Sequence, residues 1–299
     1  MNSRYLLPAC RAVLACMFLC LGCAAHAQNT MVRVQTTQGT IDMKLLDTEA
    51  PLTVANFLAY VKGTPVLSGA DYADVFFHRN AWISATTPFV IQTGGYKVSA
   101  AGSVTAVVSR GAVPNEFSAA RSNIRGTAAM AKLGNDPNSA TSQWFINMGN
   151  NAANLDSQNG GFTVFARVTA PGMATADRIA SLPDYAWTAP FDQLPVQNWQ
   201  GSLQRSNFVL FTDVRTLPSQ TDSDRIFNYL EAAYPQYLSP TNGTPGEALG
   251  YVFRYYAASN AYVGTKDNQV WYLVPAINPN VQLLGPLPDW LNTAASAGY

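Results

Sequence analysis

Apolar and polar positions alternate from Met31 to Val34 and again from Thr40 to Lys44, with Thr37-Gln38-Gly39 between them. Alternation on both sides of a glycine turn predicts a β-hairpin. Pro51 then opens a run in which Val54, Phe57, Leu58 and Val61 share one face, the spacing of an amphipathic helix that Gly63 should stop. Between Val75 and Val168, short strand-like runs are separated by glycine, asparagine and serine clusters. A second helix follows Pro171-Gly172, with Met173, Ala176, Ile179 and Ala180 on one side, and Phe208 to Val214 reads as a closing strand. Many short strands, two helices and no βαβ rhythm predict a mostly-β fold, a closed antiparallel barrel capped by two helices.

Residues 218–222 then read as a polar, proline-containing linker, and the pattern restarts at 223–299. Phe227, Leu230 and Tyr234 form a helical stripe between Arg225 and Tyr234. Tyr251 to Tyr256, Tyr262 to Val263 and Val270 to Val274 read as three strands, and an apolar tail broken by prolines runs from Val281 to Trp290. This predicts a small, tyrosine-rich α+β module, a candidate contact surface for a protein or cell-envelope component.

The first residues are set apart. Arg4 and Arg11 flank a positive region, Ala12 to Leu21 is apolar, and Ala25-His26-Ala27 precedes Gln28. That is the pattern of a secretory signal over 1–27 with an A-x-A cleavage site. The apolar run is short of the ~20 residues a membrane span requires. Periplasmic export is the leading localisation, release to the medium the second. A lipoprotein anchored at Cys23 is the third, because Cys20 stands where a lipoprotein signal usually has leucine. All four cysteines and His26 lie in this segment, so the mature chain would hold no disulfide, no thiol nucleophile and no Cys/His metal cluster. No cofactor and no metal are expected.

Charge is sparse and balanced. Lysine plus arginine number 18, as do aspartate plus glutamate, and charged residues are 12% of the chain against roughly 25% in an average domain. No strong field exists to steer the chain to nucleic acid or an anionic membrane. The expected ligand is therefore uncharged or backbone-like.

Three blocks stand out within 28–217: Phe77-His78-Arg79; Phe89-Val90-Ile91-Gln92 running into Gly94-Gly95; and Gly126 to Ala131 followed by Ser142-Gln143-Trp144-Phe145-Ile146. With Asn154-Leu155-Asp156 and Phe162 to Phe165 downstream, their order and spacing resemble the cyclophilin family of peptidyl-prolyl cis–trans isomerases. The resemblance extends over residues 31–216, including the hairpin, the Pro51 helix and the Met173 helix.

It implies a cyclophilin-like barrel and an isomerase acting on proline-containing polypeptides, here exported clients during folding. Arg79 matches the catalytic arginine by its place in F-H-R, and Gln92 matches a polar position that holds it. Phe89, Val90, Phe145 and Leu155 match the proline pocket, and Asn154 and Phe162 match its rim. Gln143 matches a contact to the substrate backbone, and Ala131 with Lys132 the backbone-contacting edge. The physical logic agrees. An X–Pro bond has a barrier of ~18–20 kcal/mol because rotation breaks amide conjugation. In the twisted geometry the proline nitrogen regains a lone pair, and an always-protonated guanidinium can meet that lone pair only when it appears. Phe77 and Met130 read as core packing, and the lone His78 as structural.

The chain departs from the family pattern in several places. Phe89 stands ten residues after Arg79, so Ala81 to Thr87 holds an insertion of about five. Val90 replaces methionine, Asn154 an aromatic, Lys132 an asparagine, and Phe162 a histidine or tyrosine. Retained but reduced catalysis and weak binding of cyclosporin-type ligands follow as expectations. The alternative reading is a catalytically weakened proline-peptide-binding or chaperone module.

Overall fold

The computed structural model describes residues 29–63, 68–69, 71–238 and 243–299, and the expected signal segment 1–27 lies outside them. The first part of the chain forms β1 (Met31–Thr36), β2 (Gly39–Leu45), α1 (Pro51–Lys62), β3 (Arg79–Ser84) and β4 (Thr87–Thr93). A small hairpin of β5 (Tyr96–Val98) and β6 (Val104–Ala106) follows, then β7 (Thr127–Met130), β8 (Trp144–Asn147), the single turn α2 (Ala152–Leu155), β9 (Val164–Val168) and α3 (Ala170–Ala180). The two-residue strands β10 (Asp184–Tyr185) and β11 (Leu194–Pro195) precede β12 (Phe211–Leu217). Eight strands make one antiparallel sheet in the order β12-β1-β2-β9-β7-β8-β4-β3.

The expected closed ladder is not continuous. The end strands β3 and β12 do not pair, because the outer edge of β3 is taken: Asn80 N–H donates to the carbonyl of Gln193 at 2.7 Å. The curled sheet is tied instead by one bridge, Phe76 to Leu210. Beside that bridge, Phe77 N–H donates to Val209 O at 3.1 Å and Phe211 N–H to Val75 O at 2.7 Å. Inside the curl, Trp144, Phe57, Phe77, Phe165 and Phe211 pack ring against ring, and both Phe77 and Met130 are buried there.

Helices α1 and α3 cover the core. Pro51 occupies the first turn of α1, and Thr53, Val54, Phe57 and Tyr60 form its buried face. Ala50 offers no side-chain cap, so the Glu116 carboxylate accepts from the free N–H groups of Leu52 and Thr53, at 3.1 and 2.7 Å. In α3, Thr169 is the N-cap and its hydroxyl accepts from Gly172 N–H.

The C-terminal part contains α4 (Asp222–Ala233), the antiparallel meander β13 (Thr244–Ala248), β14 (Tyr251–Tyr256), β15 (Ala261–Lys266), β16 (Gln269–Val274) and β17 (Asn278–Pro286), and finally α5 (Leu287–Ser296). Ile226, Phe227 and Leu230 of α4 pack on Tyr256, Val263 and Val270 of the sheet. The segment expected to be a linker is structured: Ser219 is buried, the Pro218 carbonyl accepts from Asn228, Thr221 caps α4, and Asp222 lies inside it.

This module is docked on the curled sheet through buried charge. The Arg33 Nε and Nη2 grip both oxygens of Asp42 at 2.8 and 2.7 Å, and Nη1 pairs with Glu231 of α4. Arg254 meets the other oxygen of Glu231 at 3.0 Å and Asp224 at 2.9 Å. Tyr256 donates to Glu231 at 2.9 Å, and Tyr299 to Asp42 at 2.6 Å.

Candidate active site

Period-two alternation sorts the strands of the sheet into two faces. On β8, Trp144 and Ile146 point into the core, while Phe145 belongs to a second apolar cluster on the outside of the curl. The same split holds along β4, where Ile91 is core and Val90 is outside, and along β7, where Ala128 and Met130 are core and Ala129 and Ala131 are outside. Register then aligns the outer residues. Gln92 lies opposite Arg79 on one side and opposite Phe145 on the other; Phe145 lies opposite Ala129, and Ala129 opposite Val164.

The outer cluster has a buried floor of Val90, Phe145 and Leu155, with Leu46, Ala81, Ala129 and Val164 beneath and around it. Half-exposed Phe89, Ala131 and Phe162 pack on that floor. Phe145 and Phe162 meet edge to face at 5.8 Å. Six expected pocket residues are thus brought into one apolar notch.

The polar side of the notch is built from amides and one cation. Gln92 Nε2 donates to Gln143 Oε1 at 2.8 Å. The chain after β4 passes close to that pair: a Cβ on Gly95 would lie 2.7 Å from Gln143 Cδ, so a side chain there would push the Gln143 amide aside. Half-buried Arg79 sits at the start of β3. Its Nε donates to Gln193 Oε1 at 3.2 Å, and among the described residues it makes no ion pair.

His78 lies behind the polar side of the notch, within reach of the Gln143 side chain and beside Arg79. It is buried between the edges of Tyr96 and Phe76, and its Nδ1 has no hydrogen-bond partner. Burial, followed by the adjacent Arg79 charge, pushes the imidazole down to about 3. It is therefore neutral at any pH near 7.

Two expected residues are occupied within the protein. The Lys132 ammonium donates to the carbonyls of Asn159 and Gly161, at 2.8 and 2.6 Å, and lies 4.7 Å above the Phe162 ring. It fixes the turn that presents Phe162. Asn154 is exposed, and its side-chain oxygen accepts from Gln158. The segment 81–87, expected to hold an insertion, forms the outer part of the β3–β4 hairpin, with register shifts at Trp82 and exposed Trp82 and Ile83, and Arg79 faces Gln92.

Sequence reasoning missed a support layer below the notch. Asn151 Nδ2 donates to the Phe89 carbonyl at 2.8 Å and to Asn147 Oδ1 at 2.7 Å. Asn147 in turn donates to Asn123 Oδ1 at 3.1 Å and Thr127 Oγ1 at 2.9 Å. The available signal was position: Asn147 lies two residues after Phe145 and shares its face. Gln193 carried no such signal, being 114 residues from Arg79 in sequence. Among the described residues no group of histidine, cysteine, aspartate and glutamate could hold a metal, and no helix is long and apolar enough to cross a membrane.

Comparison with known proteins identifies the family. The family described as cyclophilin type peptidyl-prolyl cis-trans isomerase/CLD matches residues 31–200. A peptidyl-prolyl cis-trans isomerase of Acinetobacter baylyi is 38% identical over 162 residues, covering 54% of this chain and 77% of that protein. Peptidyl-prolyl cis-trans isomerase B of Escherichia coli is 35% identical over 153 residues, covering 50% and 83%. A cyclophilin-type isomerase structure from Cryptosporidium parvum covers 64% of this chain and 99% of its own, with TM-score 0.45 and 21% identity. The chain belongs to the cyclophilin-type peptidyl-prolyl cis–trans isomerases.

Proposed function

We propose that the chain accelerates X–Pro isomerisation in exported polypeptides, with Arg79 as the group that favours the twisted imide. The observation that carries this reading is a guanidinium without a counter-carboxylate beside an apolar notch. The proline ring packs on Phe145, Leu155 and Val90, between the half-exposed rings of Phe89 and Phe162. Gln143 and the backbone at Ala131 align the substrate chain, and Gln92 holds Gln143 in place. As the imide twists, the Nη edge of Arg79, which has no partner among the described residues, donates to the nitrogen lone pair. The planar isomers offer no such acceptor, so the interaction is selective for the transition state. No nucleophile or proton transfer is involved.

Slow uncatalysed isomerisation, tens to hundreds of seconds, provides the role in folding outside the cytoplasm. Export rests on the 1–27 pattern and periplasmic residence is the reading it supports; N-terminal sequencing of the chain recovered from the periplasm should begin at Gln28. The C-terminal sheet turns Phe253, Tyr255, Tyr262 and Trp271 away from its helices, with Tyr255 and Tyr262 4.6 Å apart. That aromatic face supports a contact with a protein or envelope component. Deleting the module would also strip Arg33 of Glu231, so Tyr262→Ser with Trp271→Ser is the cleaner test of retention.

A protease-coupled assay with a proline tetrapeptide tests the catalytic reading. Loss of a preorganised donor costs about 2.7–4 kcal/mol, so Arg79→Ala should lower kcat/KM by about 10²–10³ while the chain stays folded. Unchanged turnover in Arg79→Ala removes the arginine from the mechanism, and a wild-type chain without activity leaves the peptide-binding alternative.

A further inference from the structure

The connection from α3 to β12, residues 181–210, is long, and one of its side chains reaches the active site. Its middle is fixed by burial. Leu194 is fully buried and Phe191 and Val196 nearly so, in a cluster with Phe76, Val98, Phe208 and Leu210. Phe191 packs on the rings of Phe76 and Tyr96, at 6.0 and 4.8 Å. Backbone bonds lock it to the catalytic strand. The Gln193 carbonyl accepts from Asn80 N–H at 2.7 Å, and Asn80 Nδ2 donates to Ala180 O and Asp184 Oδ1 at 3.0 and 2.9 Å. Gln193 is therefore held on both sides, and its Oε1 accepts from Arg79 Nε at 3.2 Å.

We infer that Gln193 is a positioning residue for the reaction: it orients the Arg79 guanidinium from a segment outside the motifs that define the site. This rests on the role proposed for Arg79. A guanidinium is planar, so fixing Nε–H fixes the plane in which the Nη donors lie. An arginine side chain otherwise has many rotamers to lose on ordering. An amide does this without neutralising the cation. Gln92, directly across the ladder, spends its amide on Gln143 instead, so among the described residues Gln193 is the side chain that holds the arginine.

The experiment is a double-mutant cycle read in the peptide assay, with Arg79 Nε–H exchange followed by NMR. Gln193→Leu keeps bulk and removes the acceptor; it should lower kcat by about tenfold with KM unchanged. It should also accelerate exchange of the Arg79 Nε–H. Added to Arg79→Ala it should cause no further loss, because the group it orients is gone. Gln193→Glu restores an acceptor and should recover slow exchange. Equal losses in both backgrounds, or unchanged exchange in Gln193→Leu, would overturn the inference. If Arg79→Ala keeps wild-type activity, the assigned role of the arginine falls; if Arg79→Ala is inactive and Gln193→Leu is fully active, only the positioning falls.

Discussion

Arg33 and Arg79 are both strand arginines of the same sheet, and they live in opposite surroundings. Arg33, on β1, is 1% exposed and touches Asp42, Glu231 and the carbonyl of Asn228. Arg79, on β3, is half-buried and touches one neutral amide. The first is balanced by carboxylates on two elements, β2 and α4, and joins two parts of the molecule. The second keeps its charge unspent at the edge of an apolar notch. A buried charge whose partners are complete does structural work, whereas a partly solvated charge held by a neutral group is available to a substrate. In a chain with so few charged residues, that division separates scaffold from chemistry.

The largest effect should come from breaking the balanced side. Glu231→Ala leaves Arg33 and Arg254 facing each other across a buried gap without the carboxylate that joins them. Removing one partner of a buried pair typically costs about 3–5 kcal/mol. Urea denaturation at pH 7 should show that loss, while kcat/KM of the folded fraction stays near wild type because the notch lies on other strands. The mirror experiment is Arg79→Lys. An ammonium reproduces neither the fork nor the bond to Gln193, so kcat/KM should fall by about a hundredfold with no measurable change in denaturation midpoint. An Arg79→Lys chain that melts early, or a Glu231→Ala chain that is stable and inactive, would erase the distinction.

The contrast also shows what was legible in the sequence. The hairpin around Thr37-Gln38-Gly39 was legible but its register was not: a three-residue turn would set Arg33 opposite Met43, whereas Gly39 pairs with Thr36 and sets Arg33 opposite Asp42. Glu231 lies 198 residues from Arg33 and is joined to it only by tertiary packing, which no local pattern encodes. The low charge content argued against any field, and concealed how densely a few charges cluster. Notch residues were legible through the resemblance to the family, and alternation supported it at Gln143 and Phe145, which share one face. In the C-terminal part β14 was readable at its full length, Tyr251–Tyr256. Strand β13 contains Pro245 and Gly246, and β17 contains Pro279 and Pro286; proline and glycine suppress a strand reading, yet both strands are sheet edges, where proline is tolerated. Helix α5 begins Leu287-Pro288, so the proline read as a break is a first-turn proline.

A smaller effect distinguishes the two regions by pH. Burial alone would raise the Glu231 carboxyl, but Arg33 and Arg254 outweigh it and hold it below its ordinary value of 4.5. Its contribution is therefore present above that value and is lost as pH falls through the folded-state value. His78 acts earlier. Its folded value of about 3 lies below the ordinary 6.5, so the unfolded chain takes up the proton first. The stability this represents is complete above pH 6.5 and drains as the pH falls towards 3. Denaturation midpoints at pH 7, 5.5 and 4 should decline in two stages, the first missing in His78→Phe and the second altered in Glu231→Gln.

The smallest expected effect is on catalysis itself. Arg79 is protonated throughout the usable range, Gln92, Gln143 and Gln193 do not titrate, and His78 is neutral down to about pH 3. Between pH 6 and 9 nothing in the notch changes charge, so kcat/KM for an uncharged proline peptide should be flat across that range. The same interval contains the onset of the His78 stability loss, which makes the pair of measurements informative together: stability bends near 6.5 and turnover does not. A bell or a step in kcat/KM centred near 6.5 would mean that the imidazole is reached by solvent and substrate in solution, and the mechanism would then need a proton transfer that a guanidinium and three amides do not provide.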